Sequence, residues 1–407
     1  MSVAALALQR NKYRHLSDDE WRWFLQQVEG RERTADKLPT FASIPDWWYP
    51  VRLSCEQCSS ELTAKYKASI IAKSQQLTAN SRSTMVDLTG GYGVDTYFLS
   101  EHFAHTDYVE QNAELCRIME HNKGLRDTGD GFREIAVHNS TAENFLLTAG
   151  QYDLIFLDPA RRDSHGGKVF RLEDCTPNVV ELMPTLLQHL TSEGRLMLKL
   201  SPMLDITQAI KTLAVSYLPL AWDVHVVAIK NEVKEVLLLN HNPSPVTRVP
   251  SITAIDLSKK DQAFVFTREE ESAANSLPYR EGLGVGFFLY EPNVAILKAG
   301  AYKLIAQRFG LRKLDINTHL YASDTLVHDF PGRVWRIKEQ STNQQSKIKN
   351  QKSKITNANV LVRNYPLTAE QLKKKMHLRD GGEKYLIGAR VNGKPTLFWA
   401  QRWTTND

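Results

Sequence analysis

The sequence predicts an α/β fold: a doubly wound, seven-stranded sheet, with a helical region before it and a smaller α+β part behind it. Three observations lead there. Strand-like and helix-like runs alternate from about residue 81 to 245. A glycine-rich turn, Gly90-Gly91-Tyr92-Gly93, joins the first strand to the first helix of that series. A wholly apolar run, Leu154-Ile-Phe-Leu157, stops abruptly at Asp158-Pro159, as a strand buried on both faces does.

Taken in order, residues 1–80 read as helix. Ser17 precedes Asp18, Asp19 and Glu20, an N-cap followed by an acidic first turn. Trp47-Trp48-Tyr49-Pro50 breaks the pattern, and a second helix starts near Ser59 or Ser60. Its Lys65 and Lys67 fit a solvated helix face, or a contact to a substrate phosphate. Cys55-Glu-Gln-Cys58 is a single CxxC with no second pair to complete a tetrahedral site, so plain thiols and no metal are expected.

Within 81–245, strands are expected at 83–88, 106–110, 133–138, 152–157, 194–200, 222–229 and 234–239. Helices are expected near 94–103, 112–122, 141–148, 176–191 and 204–215. The last two strands, joined by Lys230-Asn231-Glu232, form a hairpin. Five βα units closed by a hairpin give the Rossmann-like sheet of the class I methyltransferases, rather than the six-stranded sheet of dehydrogenases.

Composition narrows the function. The chain has 407 residues, 42% hydrophobic and 24% charged, which suits several globular domains. No apolar run reaches the roughly 18 residues that span a membrane. The first residues carry neither a basic leader nor an apolar core, and four cysteines are too few for a disulfide framework. A cytoplasmic setting without membrane association is expected. Residues 331–407 hold 16 Lys/Arg against 5 Asp/Glu, a net +11 in a chain whose total is +5. Such a tail suits a polyanion, RNA above all.

The loop Asp87-Leu-Thr-Gly-Gly-Tyr-Gly carries the cofactor chemistry. Gly91 and Gly93 keep the methyltransferase spacing after Asp87, while Thr89 stands where a glycine is usual. A pyrophosphate cradle needs a third glycine, but Asp95-Thr96 occupies that place, and an acid in the first helical turn repels phosphate. The loop therefore points to S-adenosylmethionine, with Asp87 near its cationic amino-acid end. Glu110, closing the second strand, is placed to accept both ribose hydroxyls. Ser140 and Thr141 fall where adenine is contacted.

The stretch from Asp158 to Arg162 faces the acceptor. Nucleic-acid methyltransferases commonly place Asp/Asn-Pro-Pro and an aromatic residue here, the aromatic stacking on a flipped base. This chain has Asp158-Pro159-Ala160-Arg161-Arg162 instead. Asp158, Pro159 and Arg161 are the candidate catalytic residues, Asp158 also lying against the cofactor. Arg161 and Arg162 are candidates for holding a phosphate or a base edge. No cysteine follows the fifth strand at Lys199-Leu-Ser-Pro202, so carbon-5 pyrimidine chemistry is disfavoured and a nitrogen acceptor expected.

These motifs, with Glu56-Gln-Cys-Ser-Ser-Glu61, Arg363-Asn-Tyr-Pro366 and Leu378-Arg-Asp-Gly-Gly382, resemble a bacterial family of class I S-adenosylmethionine-dependent methyltransferases. The resemblance implies a ferredoxin-like segment, a THUMP-like C-terminal domain and an RNA substrate. To the helical region at 1–80 and the methyltransferase domain at 81–245 that the residues themselves suggest, the resemblance adds a connection and ferredoxin-like segment at 246–324 and a THUMP-like basic domain at 325–407. In the third part a helix is expected from Glu291, with Pro292 early in it. In the last, a basic low-complexity loop is expected at 338–357, with phosphate contacts from Lys373, Lys374, Lys375 and Arg379. Two other readings stay open: a methyltransferase acting on a small molecule or protein, and a non-catalytic RNA-binding protein with a relict cofactor site. Oligomeric state is not legible.

Overall fold

The computed structural model describes residues 3–74, 83–125, 134–160, 171–216, 221–241, 249–259, 263–275, 277–278, 286–341 and 355–403. These form two compact units. The first comprises Met1–Val224 and Glu235–Pro250, the second His225–Lys234 and Ser251–Asp407. Among the described residues, no helix is long and apolar enough to cross a membrane.

In the first unit, β1 (Thr84–Asp87), β2 (His105–Glu110), β3 (Glu134–Asn139), β4 (Tyr152–Leu157) and β5 (Leu190–Leu200) run parallel. The hairpin of β6 (Trp222–Ile229) and β7 (Glu232–His241) follows, its tip His225–Lys234 belonging to the second unit. Two further strands, β8 (Ile252–Asp256) and β9 (Phe264–Phe266), come after β6, so the order is β3-β2-β1-β4-β5-β7-β6-β8-β9 and the sheet has nine strands where seven were expected. Lys230 and Asn231 both take positive φ, 51° and 60°, as a two-residue turn matched to strand twist demands. Because β7 pairs antiparallel with β5, the sheet has the reversed strand of the class I methyltransferases. Leu154, Ile155, Phe156 and Leu157 are all buried, as their unbroken apolar run requires. Parallel pairing brings the carboxyl ends of β1, β2, β4 and β5 to one edge, where ligands bind in open α/β sheets.

The N-terminal helices pack onto this sheet unit. Ser17 and Glu20 form the expected reciprocal cap on the helix Asp18–Thr34. Phe41, Trp47 and Tyr49 interleave with Tyr92, Val94 and Phe98 in a buried aromatic cluster. Trp47 Nε1 donates to the Tyr92 hydroxyl at 3.0 Å, and Asn122 exchanges two hydrogen bonds with the backbone of Trp48. Cys55 and Cys58 donate to the carbonyls of Pro50 and Cys55. Burial pushes both thiols up, Cys55 to about 12, so neither is a ready thiolate.

In the second unit, β8 (Ile252–Asp256) and β9 (Phe264–Phe266) pair antiparallel. A separate eight-stranded sheet joins β10 (Leu277–Pro278), β11 (Phe288–Pro292), β12 (Arg312–Asp315), β13 (Thr318–Ser323), β14 (Gly332–Ser341), β15 (Asn359–Arg363), β16 (Lys384–Val391) and β17 (Lys394–Arg402). Its order is β10-β12-β13-β11-β14-β17-β16-β15. Pro292 closes β11 rather than opening a helix. Asn293 instead caps Val294–Ala299, which stops at Gly300 with φ 84°. The low-complexity stretch also begins later than its composition suggests, because Lys338–Ser341 still belong to β14; residues 342–354 lie outside the described set. Buried Glu291 accepts from both Arg333 and Arg363, tying β11 to the strands beyond it.

Candidate active site

At the carboxyl end of β1, Asp87 is buried and bound by its own loop. Thr89 N–H donates to its Oδ1 at 3.0 Å, and Thr96 Oγ1 donates to its Oδ2 at 2.6 Å. Burial nevertheless lifts its carboxyl to about 7, Asp95 and Asp158 nearby adding to the effect. Thr96 stands where a dinucleotide loop has its third glycine, and this hydrogen bond is what occupies the place. Thr89, in the position of an expected glycine, accepts the Asp158 N–H on its hydroxyl at 2.6 Å, pinning the loop to the end of β4.

The glycines divide by role. A Cβ on Gly90 would stand 2.2 Å from the Tyr108 ring, so this residue is small in order to pack. Tyr108 is fully buried and donates to the Gly91 carbonyl at 2.5 Å. Gly93 takes φ +78° at the helix start, and an added Cβ would meet Met119 Sδ at 2.9 Å. Only Gly91, with φ +55°, has space beside it, its nearest neighbour being the Thr89 carbonyl at 3.7 Å. Gly90→Ala should therefore destabilise the fold by about 1–3 kcal/mol through overpacking, measured by urea denaturation. Parent-like stability would mean that Tyr108 has room to move.

Glu110, at the end of β2, accepts the Gly91 N–H at 2.9 Å and the Asn112 N–H at 2.7 Å. One carboxylate thus faces both the glycine loop and the next helix. Ser140 N–H donates to the Glu110 carbonyl, which brings β3's end alongside. The Thr141 hydroxyl caps Ala142–Leu146 by accepting from Asn144 N–H, which ties its orientation to the helix start.

Beside Asp158 lies a charge cluster that the sequence reading did not assemble. Lys199, near the end of β5, pairs closely with Asp158 Oδ2 and lies 3.8 Å from Asp95 Oδ2. Asp95 meets Lys67 at 3.1 Å and accepts from Ser59 Oγ at 2.7 Å. Lys67 in turn lies 2.6 and 2.8 Å from the two Glu235 oxygens. Its side chain is 0% exposed, so it is neither a solvated lysine nor a phosphate contact. Burial works against the Asp95 carboxylate, but Lys67 and Lys199 hold it below the usual range. For Glu235 burial wins and pushes the carboxyl up. Burial also opposes the Lys199 ammonium, yet Asp158, Asp95 and Glu235 hold its proton well above ordinary lysine. Asp95 is thus compensated by two cations, so its charge alone does not exclude a pyrophosphate as the sequence suggested.

This donor set fits a cationic nucleoside cofactor. Five acids, Asp87, Asp95, Glu110, Asp158 and Glu235, gather near one sheet edge against the two ammonium groups of Lys67 and Lys199, and Gly91 leaves the backbone open beside Glu110. Pro159 is buried behind Asp158, and Arg161 and Arg162 lie outside the described residues. Far along the chain, Lys373 is held between Glu370 and Asp380 at 2.8 Å each, its charge neutralised locally. Lys374, Lys375 and Arg379 are exposed on or just after the same helix.

Profiles for a ferredoxin-like domain and a THUMP domain-like region match residues 288–331 and 332–402. Among curated proteins, none matches the chain. A crystal structure from Porphyromonas gingivalis W83, provisionally assigned as a methyltransferase, shares 32% identity over 96% of this chain and 92% of its own, with a TM-score of 0.81. A methyltransferase from Agrobacterium tumefaciens that depends on S-adenosylmethionine shares 14% identity over 44% of this chain and 61% of its own, at TM-score 0.34. An rRNA methylase from Streptococcus thermophilus shares 14% over 44% and 94%, at 0.31. The last two are too distant to bear on the substrate. With the fold, the glycine loop and the full-length match together, the chain belongs to a family of class I S-adenosylmethionine-dependent methyltransferases that carry ferredoxin-like and THUMP-like C-terminal segments.

Proposed function

We propose that the protein methylates RNA, ribosomal or transfer, at a base nitrogen. The observation that carries the cofactor half is Glu110 held beside Gly91, with Asp87 and Asp158 on the neighbouring strand ends. Each Glu110 oxygen accepts one backbone N–H and keeps a lone pair for a ribose hydroxyl. Asp87 faces the amino-acid end and Ser140 the adenine, while Thr89, Thr141 and Gly93 shape the loops. S-adenosylmethionine supplies an electrophilic methyl on a sulfonium. Asp158 orients the acceptor amine and takes its proton, with Pro159 fixing the turn and Arg161 and Arg162 receiving phosphate or base edge. The RNA half rests on the basic tail and the THUMP domain-like match, with Lys374, Lys375 and Arg379 as phosphate contacts and Lys373 a weaker one. The boundaries at 80, 245 and 324 are proposed as the functional divisions, in a cytoplasmic protein.

The test is methyl transfer from labelled cofactor into total RNA, run beside protein and metabolite pools. Label in RNA, and a single modified nucleoside after digestion, are expected. Label only in another pool would replace RNA as the substrate. Glu110→Ala should weaken cofactor binding about 10- to 100-fold by calorimetry, the worth of a charged hydrogen bond or two. Unchanged affinity would remove Glu110 from the site.

A further inference from the structure

Lysine is rarely buried unless paired, and this sheet edge holds one that is wholly buried, Lys67, and one that is nearly so, Lys199, with 12% of its side chain exposed. Lys199 sits on β5 between the buried residues Leu198 and Leu200, where a strand covered on both faces would ordinarily carry an apolar side chain. Its ammonium meets Asp158 on one side and Asp95 on the other. Asp95 is fixed in turn by Ser59 and by Lys67, whose own position is set by Glu235. The chain of contacts runs from the helix Glu61–Ser74, through Val94–Leu99, to the ends of β5 and β4. All of its members belong to the first compact unit. Asp158 is the one acid of the ladder that is substantially open, with 39% of its side chain exposed against 10% for Asp95 and 3% for Glu235. The ladder therefore has a closed end in the protein and an open end at the proposed acceptor site.

We propose that Lys199 is a positioning residue for the methyl-transfer reaction: it clamps Asp158 at the open end of the ladder and balances the charge of the edge that receives the cofactor. This rests on the reading of Asp158 as the group facing the acceptor. The clamp fixes one carboxylate oxygen through a charge-assisted hydrogen bond and denies Asp158 its free rotation. The balance matters because the cofactor is cationic before transfer and loses its sulfonium charge afterwards. An ammonium a few ångströms from Asp158 moderates the acidic edge, lessening its grip on the charged form relative to the spent one.

The experiment compares the full-length parent with Lys199→Met and Lys199→Arg. Calorimetry with S-adenosylmethionine and S-adenosylhomocysteine is run beside labelled methyl transfer to total RNA. Lys199→Met should shift the preference toward S-adenosylmethionine at least threefold, because a cation has left the edge. Its transfer rate should fall about 100-fold or more. Lys199→Arg keeps the charge; its preference should match the parent's and its transfer should recover to within about tenfold. Unchanged preference in Lys199→Met, or transfer within threefold of the parent, overturns the proposal. Equal loss of both ligands in Lys199→Met and Lys199→Arg alike would mark Lys199 as structural and overturn it too. A parent that labels no RNA would count against the RNA reading. The preference shift would still decide the role of Lys199.

Discussion

A chain carrying Lys67→Met should be about 3–5 kcal/mol less stable at pH 7, the cost of leaving buried carboxylates without their cation. Lys67 is wholly buried, and Glu235 and Asp95 lose their closest cation with it. Methionine fills the volume, so packing loss contributes little and the deficit is electrostatic. Its pH dependence has a defined sign. Without Lys67 both acids hold their protons more tightly folded than unfolded, so the penalty is absent below the ordinary carboxylate range and grows as pH rises. The gap between parent and variant should therefore be wide at pH 7 and narrower at pH 5. Adding Glu235→Gln to Lys67→Met should return part of the loss, since one orphaned charge disappears. Urea denaturation of the three chains at both pH values measures this. A single variant within 1 kcal/mol of the parent at pH 7 would show that the cluster relaxes by taking in water.

That cluster also marks where sequence reading stopped. The strands of the first unit were legible because apolar runs and turn residues are local signals, and the fold class followed from their order. The places of Asp87 and Glu110 at the ends of β1 and β2 were legible because a strand end is a place that sequence can locate. Lys67 was not, since its partner Glu235 lies 168 residues away and a lysine on a helix ordinarily meets solvent. Lys199 did leave a signal: a lone cation inside Leu196–Leu200, a run otherwise buried, has to be paired with something. Glu235, among the buried valine and leucines of β7, left the same one. Pro292 was misplaced because a proline before a helical run suits both a strand end and a first helical turn, and only the pairing of β11 with β14 decides between them.

Asp87→Asn should make the ligand-free protein more stable at pH 8, by about 1–3 kcal/mol, while weakening its hold on the cofactor tenfold or more. Burial raises the Asp87 carboxyl from 3.8 to about 7, against the hydrogen bonds from Thr96 and Thr89. An acid that holds its proton more tightly folded than unfolded gives stability that is complete below about 3.8 and lost as pH climbs through about 7. A rise of that size bounds the loss at about 4 kcal/mol. Asparagine can still receive the Thr89 N–H, and the Thr96 hydroxyl can turn to accept from its amide, so little of the loop need be given up. The excess charge has a use if it meets the cationic end of S-adenosylmethionine. Binding should then expel a proton from Asp87 near neutrality, and affinity should rise as pH climbs from about 6 to about 7.5. Calorimetry in buffers of different ionisation enthalpy counts that proton, and Asp87→Asn in parallel cancels the cofactor's own titration. Equal pH dependence in the two chains would place Asp87 away from the cofactor's charge. A rise in the parent alone would show instability at the end of β1 serving the ligand.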